Sequence, residues 1–268
     1  MTEVAFNPTI ARTLLLDSAR HAYLAKRDLG NEPYREPSSE MDTGNAIHEL
    51  VFGGHRIVAI DKPDWRTKEA QIWRAEQRAA HRIPMLQRQL DELLEIANRI
   101  IDRMRREGIV LAGESNRRFE WRQPTRAGSV LCHCEMDHLD YPRIVELKTT
   151  SCAHPKHVSR DIYNLGYDIQ YAGYCDAFVA QGWAQDPDFV WVFAEIEPPH
   201  CITIGRPDAL FKQMGRQRWA RALRIWDACL ACNMWPEYTT GIVDIAPQPW
   251  AFTEEMNADA EFYAELGE

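Results

Sequence analysis

Up to about residue 107 the apolar positions recur at helical spacing, and beyond it they alternate, so the chain predicts a helical N-terminal part followed by a sheet. The stretch NPTIARTLLLDSARHAYLAKRD (7–28) predicts an amphipathic helix opening on Asn7 or Pro8, then a polar loop with Pro33 and Pro37. DTGNAIHELVFGG (42–54) predicts a short helix capped by Asp42 or Thr43 and stopped by Gly53-Gly54. Residues 67–107 predict one or two long helices, interrupted at Pro84. Strands follow at 116–123, 128–139 and 143–149, the last two joined by a hairpin turn at Asp140-Tyr141-Pro142. A helix at 159–182 ends on Gly182, strands return at 189–197 and 200–205, and a long helix with Pro207 near its first turn covers 206–233.

That order predicts an α/β (α+β) fold, a central mixed β-sheet flanked by helices. With no repeat, low-complexity tract or linker, residues 1–268 read as one domain. Its parts are a mostly helical 1–107, a sheet and helix over 108–205, and a C-terminal helix with an acidic tail over 206–268.

Composition narrows the class. With 268 residues, 45% hydrophobic and 26% charged, the chain reads as soluble and large enough for one substantial core. It shows neither a membrane-span length of apolar residues nor a signal-peptide pattern, so no membrane partner is expected. Seven scattered cysteines predict reduced thiols and a cytoplasmic setting. The net charge of −9, taken alone, argues against nucleic acid. Its distribution does not. Residues 66–126 hold 14 Arg or Lys against 9 Asp or Glu, and 206–224 hold Arg206, Lys212, Arg216, Arg218, Arg221 and Arg224 against Asp208 alone. Arginine, whose planar fork suits phosphate, outnumbers lysine 25 to 6. The same pattern also suits solvated helix faces.

The candidate chemistry lies in EMDHLDYPRIVELKTTS (135–151). Glu146 and Lys148, two apart on a strand, project to one side. Asp137, nine residues before Glu146 and across the turn, comes within reach of a shared cation. Two carboxylates with a backbone carbonyl and waters are what Mg²⁺ or Mn²⁺ prefers. Such an ion polarises a phosphoryl oxygen and acidifies a bound water, and a neighbouring lysine orients or deprotonates that water. The constellation therefore suits phosphodiester hydrolysis, while a structural ion pair on a strand explains the same triplet. Of the six lysines only Lys148 has an acid two positions earlier. On the following helix Gln170 and Tyr174, spaced i,i+4, share a face from which they would bind phosphate or brace the lysine. Upstream, His48 stands four residues after Gly44; a lone helical histidine serves as a core residue or as a ligand.

Gly44-x3-His48, Asp137, Glu146-Leu147-Lys148 and Gln170-x3-Tyr174, in that order, resemble the PD-(D/E)XK nuclease superfamily. The branch most resembled holds the RecB nuclease domain and the exonuclease VIII (RecE) C-terminal domain. GNAIHELVFG and RWARALRIWDACLACNMWPEY also resemble the exonuclease VIII group, extending the likeness over about 8–251. The resemblance implies a restriction-endonuclease-like core with helical additions at both ends. It implies Mg²⁺-dependent hydrolysis of DNA, 5′-to-3′ from the ends of linear duplexes, in recombination or repair. It places Asp137, Glu146, Leu147 and His48 on or near the metal, Lys148 on the nucleophilic water, and Gln170 and Tyr174 in support. Glu120 would be a further acid. Relatives form rings and work beside single-strand annealing proteins, which makes a homo-oligomer and such a partner expectations here.

Other readings stay open. Some relatives hold an iron–sulphur cluster with one Cys before the histidine motif; here no Cys precedes Cys132, and only Cys229 and Cys232 pair closely near the C-terminus. Cys132, Cys134, Cys152, His154 and His157 have spacings that permit zinc, although alternating strand cysteines often serve as small buried hydrophobes. A nuclease-like protein that binds DNA ends without cutting, or an endonuclease on the same fold, would share these motifs.

Overall fold

A computed structural model describes residues 4–26, 38–239, 241–255 and 257. The polar loop expected around Pro33 and Pro37 lies outside the described residues. The chain divides into a unit ending at Trp235 and a C-terminal one beginning at Pro236. In the latter, residues 249–255 are helical, with Trp250 and Phe252 exposed.

The N-terminal stretch is two helices, α1 (Pro8–Leu16) and α2 (Ala19–Leu24), rather than one. Asn7 and Ser18 each cap the helix they precede by accepting a backbone N–H, and a serine with its own cap bond competes with helix continuation. Helix α3 (Ser39–Phe52) begins earlier than expected because Ser38 is the cap, accepting from Met41 N–H at 3.2 Å. Asp42 is buried inside α3, where it meets Arg74 at 3.0 Å and Arg78 at 2.5 Å. Gly53 ends α3 in the left-handed region (φ 82), which glycine enters without strain. At Gly54 a Cβ would sit 1.8 Å from the Glu49 carboxylate, itself bound by Arg56.

Strand β1 (Ile57–Ile60), helix α4 (Lys68–Ala79), strand β2 (Ile83–Leu86) and helix α5 (Gln87–Arg106) follow. Pro84 does interrupt the helical run, but by sitting in β2, which pairs parallel with β1 in a separate two-stranded sheet. Runs this short carry too little periodicity to declare themselves as strands.

The main sheet contains β3 (Glu114–Thr125), β4 (Gly128–Asp140), β5 (Arg143–Thr150), β6 (Asp188–Glu195) and β7 (Ile202–Gly205), in that order. Only β5 and β6 run parallel, so the sheet is mixed. The parallel pair needs a crossover, supplied by α6 (Pro155–Asn164) and α7 (Tyr167–Ala180). These replace the single expected helix because Gly166, at φ 72, breaks it. Helix α8 (Ala209–Cys232), capped by Asp208, closes the unit.

Two cores sandwich the sheet. On β6, Phe189, Trp191 and Phe193 face one core with Phe6, Tyr171, Phe178, Trp219 and Trp226. Val190, Val192 and Ala194 face the other, with Val145, Leu147, Ile47, Val51, Leu93, Ile96 and Ile100. Helices α1, α7 and α8 thus cover one face, and α3 and α5 the other. A strand covered on both faces reads as a continuous apolar run, and within β5 the charged Glu146 and Lys148 interrupt it.

Candidate active site

The site forms where β4 and β5 part. Their antiparallel ladder runs from Asp140–Arg143 to His138–Val145 and stops, so Asp137 and Glu146 are the first residues beyond it. Nor does Asp137 enter the β3–β4 register, where Asn116, opposite it, has φ 53. Side chains take over the released backbone groups. Leu147 N–H donates to Asp137 Oδ2 at 2.9 Å, and Asp137 N–H points at Glu146 Oε2 at 3.4 Å. Both acids are thereby fixed by backbone.

Helix α3 delivers His48, whose Nδ1 lies 3.3 Å from Asp137 Oδ2. A carboxylate on one ring nitrogen sets the tautomer and orientation of the imidazole, as around metal-binding histidines. The helix approaches β5 at Gly44, where a Cβ would lie 3.6 Å from Thr149 Oγ1, an ordinary contact.

Helix α7 supplies the opposite wall. Glu146 Oε1 has three donors around it: Gln170 Nε2 at 2.6 Å, Tyr174 Oη at 3.0 Å and Lys148 Nζ at 3.3 Å. Gln170 Nε2 also reaches Tyr174 Oη at 2.8 Å, and that hydroxyl lies 2.5 Å from the Glu135 carbonyl oxygen. Glu146 is 1% exposed, against 16% for the Lys148 side chain, 17% for Asp137 and 29% for His48. The cluster is therefore open on the Asp137–His48 side and closed around Glu146. The Gln170 side-chain oxygen Oε1 is buried with no hydrogen-bond partner among the described residues. Beside it, Gln170 and Tyr174 line a cleft of about 220 Å³ with Asn7, Arg118, His133 and Glu135.

Burial, and next the charge of Asp137, push the Glu146 carboxyl up to about 7. Asp137 goes the other way: burial would raise it, but the His48 hydrogen bond and charge, with Lys148, hold it low. Burial would also lower Lys148, yet Glu146 and Asp137 outweigh it and the ammonium is favoured. Burial drives Tyr174 well above a free phenol, so it remains a hydroxyl.

Two carboxylates and the Leu147 carbonyl are hard oxygen donors and the His48 imidazole a borderline one, a set that suits a divalent ion. Among the described residues no three His, Cys, Asp or Glu side chains converge as a ready-made cage. Mg²⁺, which keeps several waters and takes only one or two carboxylates, does not need one.

The fold and this cluster place the chain among known proteins. Residues 14–247 match the family described as a PDDEXK-like domain of unknown function (DUF3799). The chain belongs to that family. Its structure is similar to the crystal structure of a "Putative exonuclease" from Eubacterium rectale, with a TM-score of 0.60 and 14% identity over 93% of this chain and 92% of that one. A structure of SSO0001 aligns at a TM-score of 0.28 and 9% identity, over 71% and 87% of the two chains, too distant to inform the reading. No curated protein matches the sequence. The PD-(D/E)XK superfamily resemblance and the mixed, helix-flanked sheet both stand.

Within this PDDEXK-like domain, the four separated motifs meet in one place. Glu120 does not join them: it is exposed, bound to Arg118 at 2.7 Å, and opposite His133, four residues along β4 from Asp137. Cys132 and Cys134 are buried in the α7–α8 core with Cys229, Cys134 also lining the cleft beside Gln170 and Tyr174, while Cys232 is exposed at the end of α8. His154 caps α6 through Lys156 N–H, and exposed His157 lies 3.4 Å from Arg160. Two contributors were not anticipated. The Glu135 carbonyl is silent in sequence. Tyr167, three residues before Gln170 and so on the same helical face, was visible to the i,i+3 rule.

Proposed function

We propose that this chain is a Mg²⁺-dependent deoxyribonuclease that hydrolyses phosphodiester bonds from the ends of linear duplex DNA, 5′ to 3′, with Mn²⁺ able to substitute. The observation that carries the reading is the meeting of Asp137 with Glu146 where the β4–β5 ladder opens, with the Lys148 ammonium 3.3 Å from Glu146. Family membership supports a nuclease, and the name of the structurally similar E. rectale protein favours exonuclease action.

Asp137, Glu146, the Leu147 carbonyl and His48 would hold the ion. When bound, it supplies positive charge at the phosphoryl oxygens and a more acidic water. His48 and the Leu147 amide fix Asp137, while Gln170 and Tyr174 fix Glu146. Lys148, ion-paired and so an ammonium, orients the attacking water and offsets charge developing on the phosphate. Exposed arginines such as Arg221 and Arg224 contribute phosphate contacts that position DNA without reading sequence. By resemblance to the exonuclease VIII group, the protein works in recombination or repair, as a ring-shaped homo-oligomer beside a single-strand annealing protein, and its scattered cysteines suit a cytoplasmic setting.

One observation favours a second reading, a DNA-end-binding protein with little hydrolysis: Glu146 is almost fully buried and its Oε1 is already surrounded by three donors. Linear and closed circular duplexes, incubated with Mg²⁺ and with EDTA, separate the readings. Metal-dependent loss of the linear form alone supports the exonuclease. A mobility shift without degradation supports the binder, and cutting of closed circles supports an endonuclease.

A further inference from the structure

Tyr167 is the first residue of α7, set immediately after the left-handed Gly166. That turn brings the start of α7 over the end of β5. The Lys148 ammonium lies 4.9 Å from the Tyr167 ring centroid and 3.3 Å from Glu146 Oε1. The ring also packs on Phe193 at 6.2 Å, and Phe193 is the residue opposite Lys148 in the β5–β6 ladder. Tyr167, Gln170 and Tyr174 follow one another at i, i+3 and i+7, so a single helical face presents a ring to the lysine and two polar groups to the glutamate.

We propose that Tyr167 is a positioning residue for Lys148, acting through its ring face rather than its hydroxyl; this rests on the nuclease reading above. A lysine carries a compact charge on a flexible four-carbon stem, and one carboxylate restrains it from one side only. A ring face attracts the ammonium from a second direction, and the attraction is greatest where water is excluded, as it largely is around Lys148. With both contacts the ammonium has a fixed aim. With Glu146 alone it folds onto the carboxylates as a closed ion pair and no longer faces the phosphate. Simple packing against Phe193 would ask only for an apolar side chain of similar size, so leucine and phenylalanine separate the two roles.

The test uses the full chain with Mg²⁺ and linear duplex DNA, comparing Tyr167→Phe and Tyr167→Leu in kcat, KM and thermal melting. Tyr167→Phe keeps the wild-type rate. Tyr167→Leu lowers kcat by about ten- to thirtyfold, the rate equivalent of a desolvated cation–π contact, with KM within about twofold and melting unchanged. In a Lys148→Ala background the leucine change adds no further loss, because its effect passes through the missing ammonium. Equal losses in Phe and Leu would overturn the proposal in favour of a hydroxyl role. A rise in KM at constant kcat would overturn it in favour of a DNA contact, and a fully active leucine variant would overturn it outright. A wild-type chain that leaves all DNA intact removes the nuclease reading itself, and the positioning role with it.

Discussion

Leu147 and Asp137 are joined by a backbone-to-side-chain bond of 2.9 Å where strand pairing would have supplied a backbone acceptor. The bond ties a carboxylate to the residue beside Glu146, so the two acids move together with β5. An acid held this way loses little freedom when it binds, which is the condition for a preorganised site.

Replacing Asp137 with Asn should reduce hydrolysis by at least about a hundredfold, since a ligand charge is lost from a site that works by electrostatics. DNA binding in EDTA should hold or tighten, because one carboxylate no longer repels phosphate. Gel shift and nuclease assays on the same preparation check both. A variant that cuts at near wild-type rate would remove Asp137 from the site.

Lys148→Ala should lower kcat by about a hundred- to a thousandfold with KM little changed, as expected of a group acting mainly in the transition state. An equal rise in KM would instead make the lysine a general DNA contact.

Glu146 carries a pH signature in the metal-free protein. Its folded carboxyl, pushed up by burial and by Asp137 to about 7, holds its proton more tightly than in the unfolded chain. The folded state then binds more protons than the unfolded state between about pH 4.5 and 7, and stability falls as pH rises through that window. Glu146→Gln, which cannot ionise, should be free of this loss. In EDTA the wild type should melt below the variant at pH 8 and approach it at pH 5. Parallel melting curves at both pH values would contradict the assignment.

Tyr174→Phe removes a buried hydroxyl that Gln170, Glu146 and the Glu135 carbonyl all approach. The expected cost is about 1–2 kcal/mol in urea unfolding, the scale of leaving buried polar partners unmatched. Activity should fall less than in the Asp137 or Lys148 variants, because Gln170 still holds Glu146.

Gly215 lets α8 approach α7: a Cβ there would stand 2.2 Å from the Asp168 carbonyl oxygen, which is backbone and cannot swing away. Gly215→Ala should destabilise by about 1–3 kcal/mol as the helices are forced apart. Activity should drop with it, since α7 carries Gln170 and Tyr174. An alanine variant of wild-type stability would show that the helices separate freely.

Sequence alone determined the order of the main-sheet strands and the long helices, the mixed sheet, and the ordered motifs from His48 to Tyr174, because apolar periodicity and motif spacing are local properties. Glu146 and Lys148 were visible because they break the apolar run of Ile144, Val145 and Leu147 along their strand. The short β1 and β2 were not visible, nor were the breaks at Ser18 and Gly166, where one cap or one glycine decides. Tertiary structure alone decided that the β4–β5 ladder ends at His138, just short of Asp137, that Glu120 stays outside, and that Glu146 is closed in while Asp137 and His48 face outward. Those outcomes depend on contacts among residues up to about a hundred positions apart, such as His48 with Asp137, and on which groups burial strips of water; no short-range pattern records either.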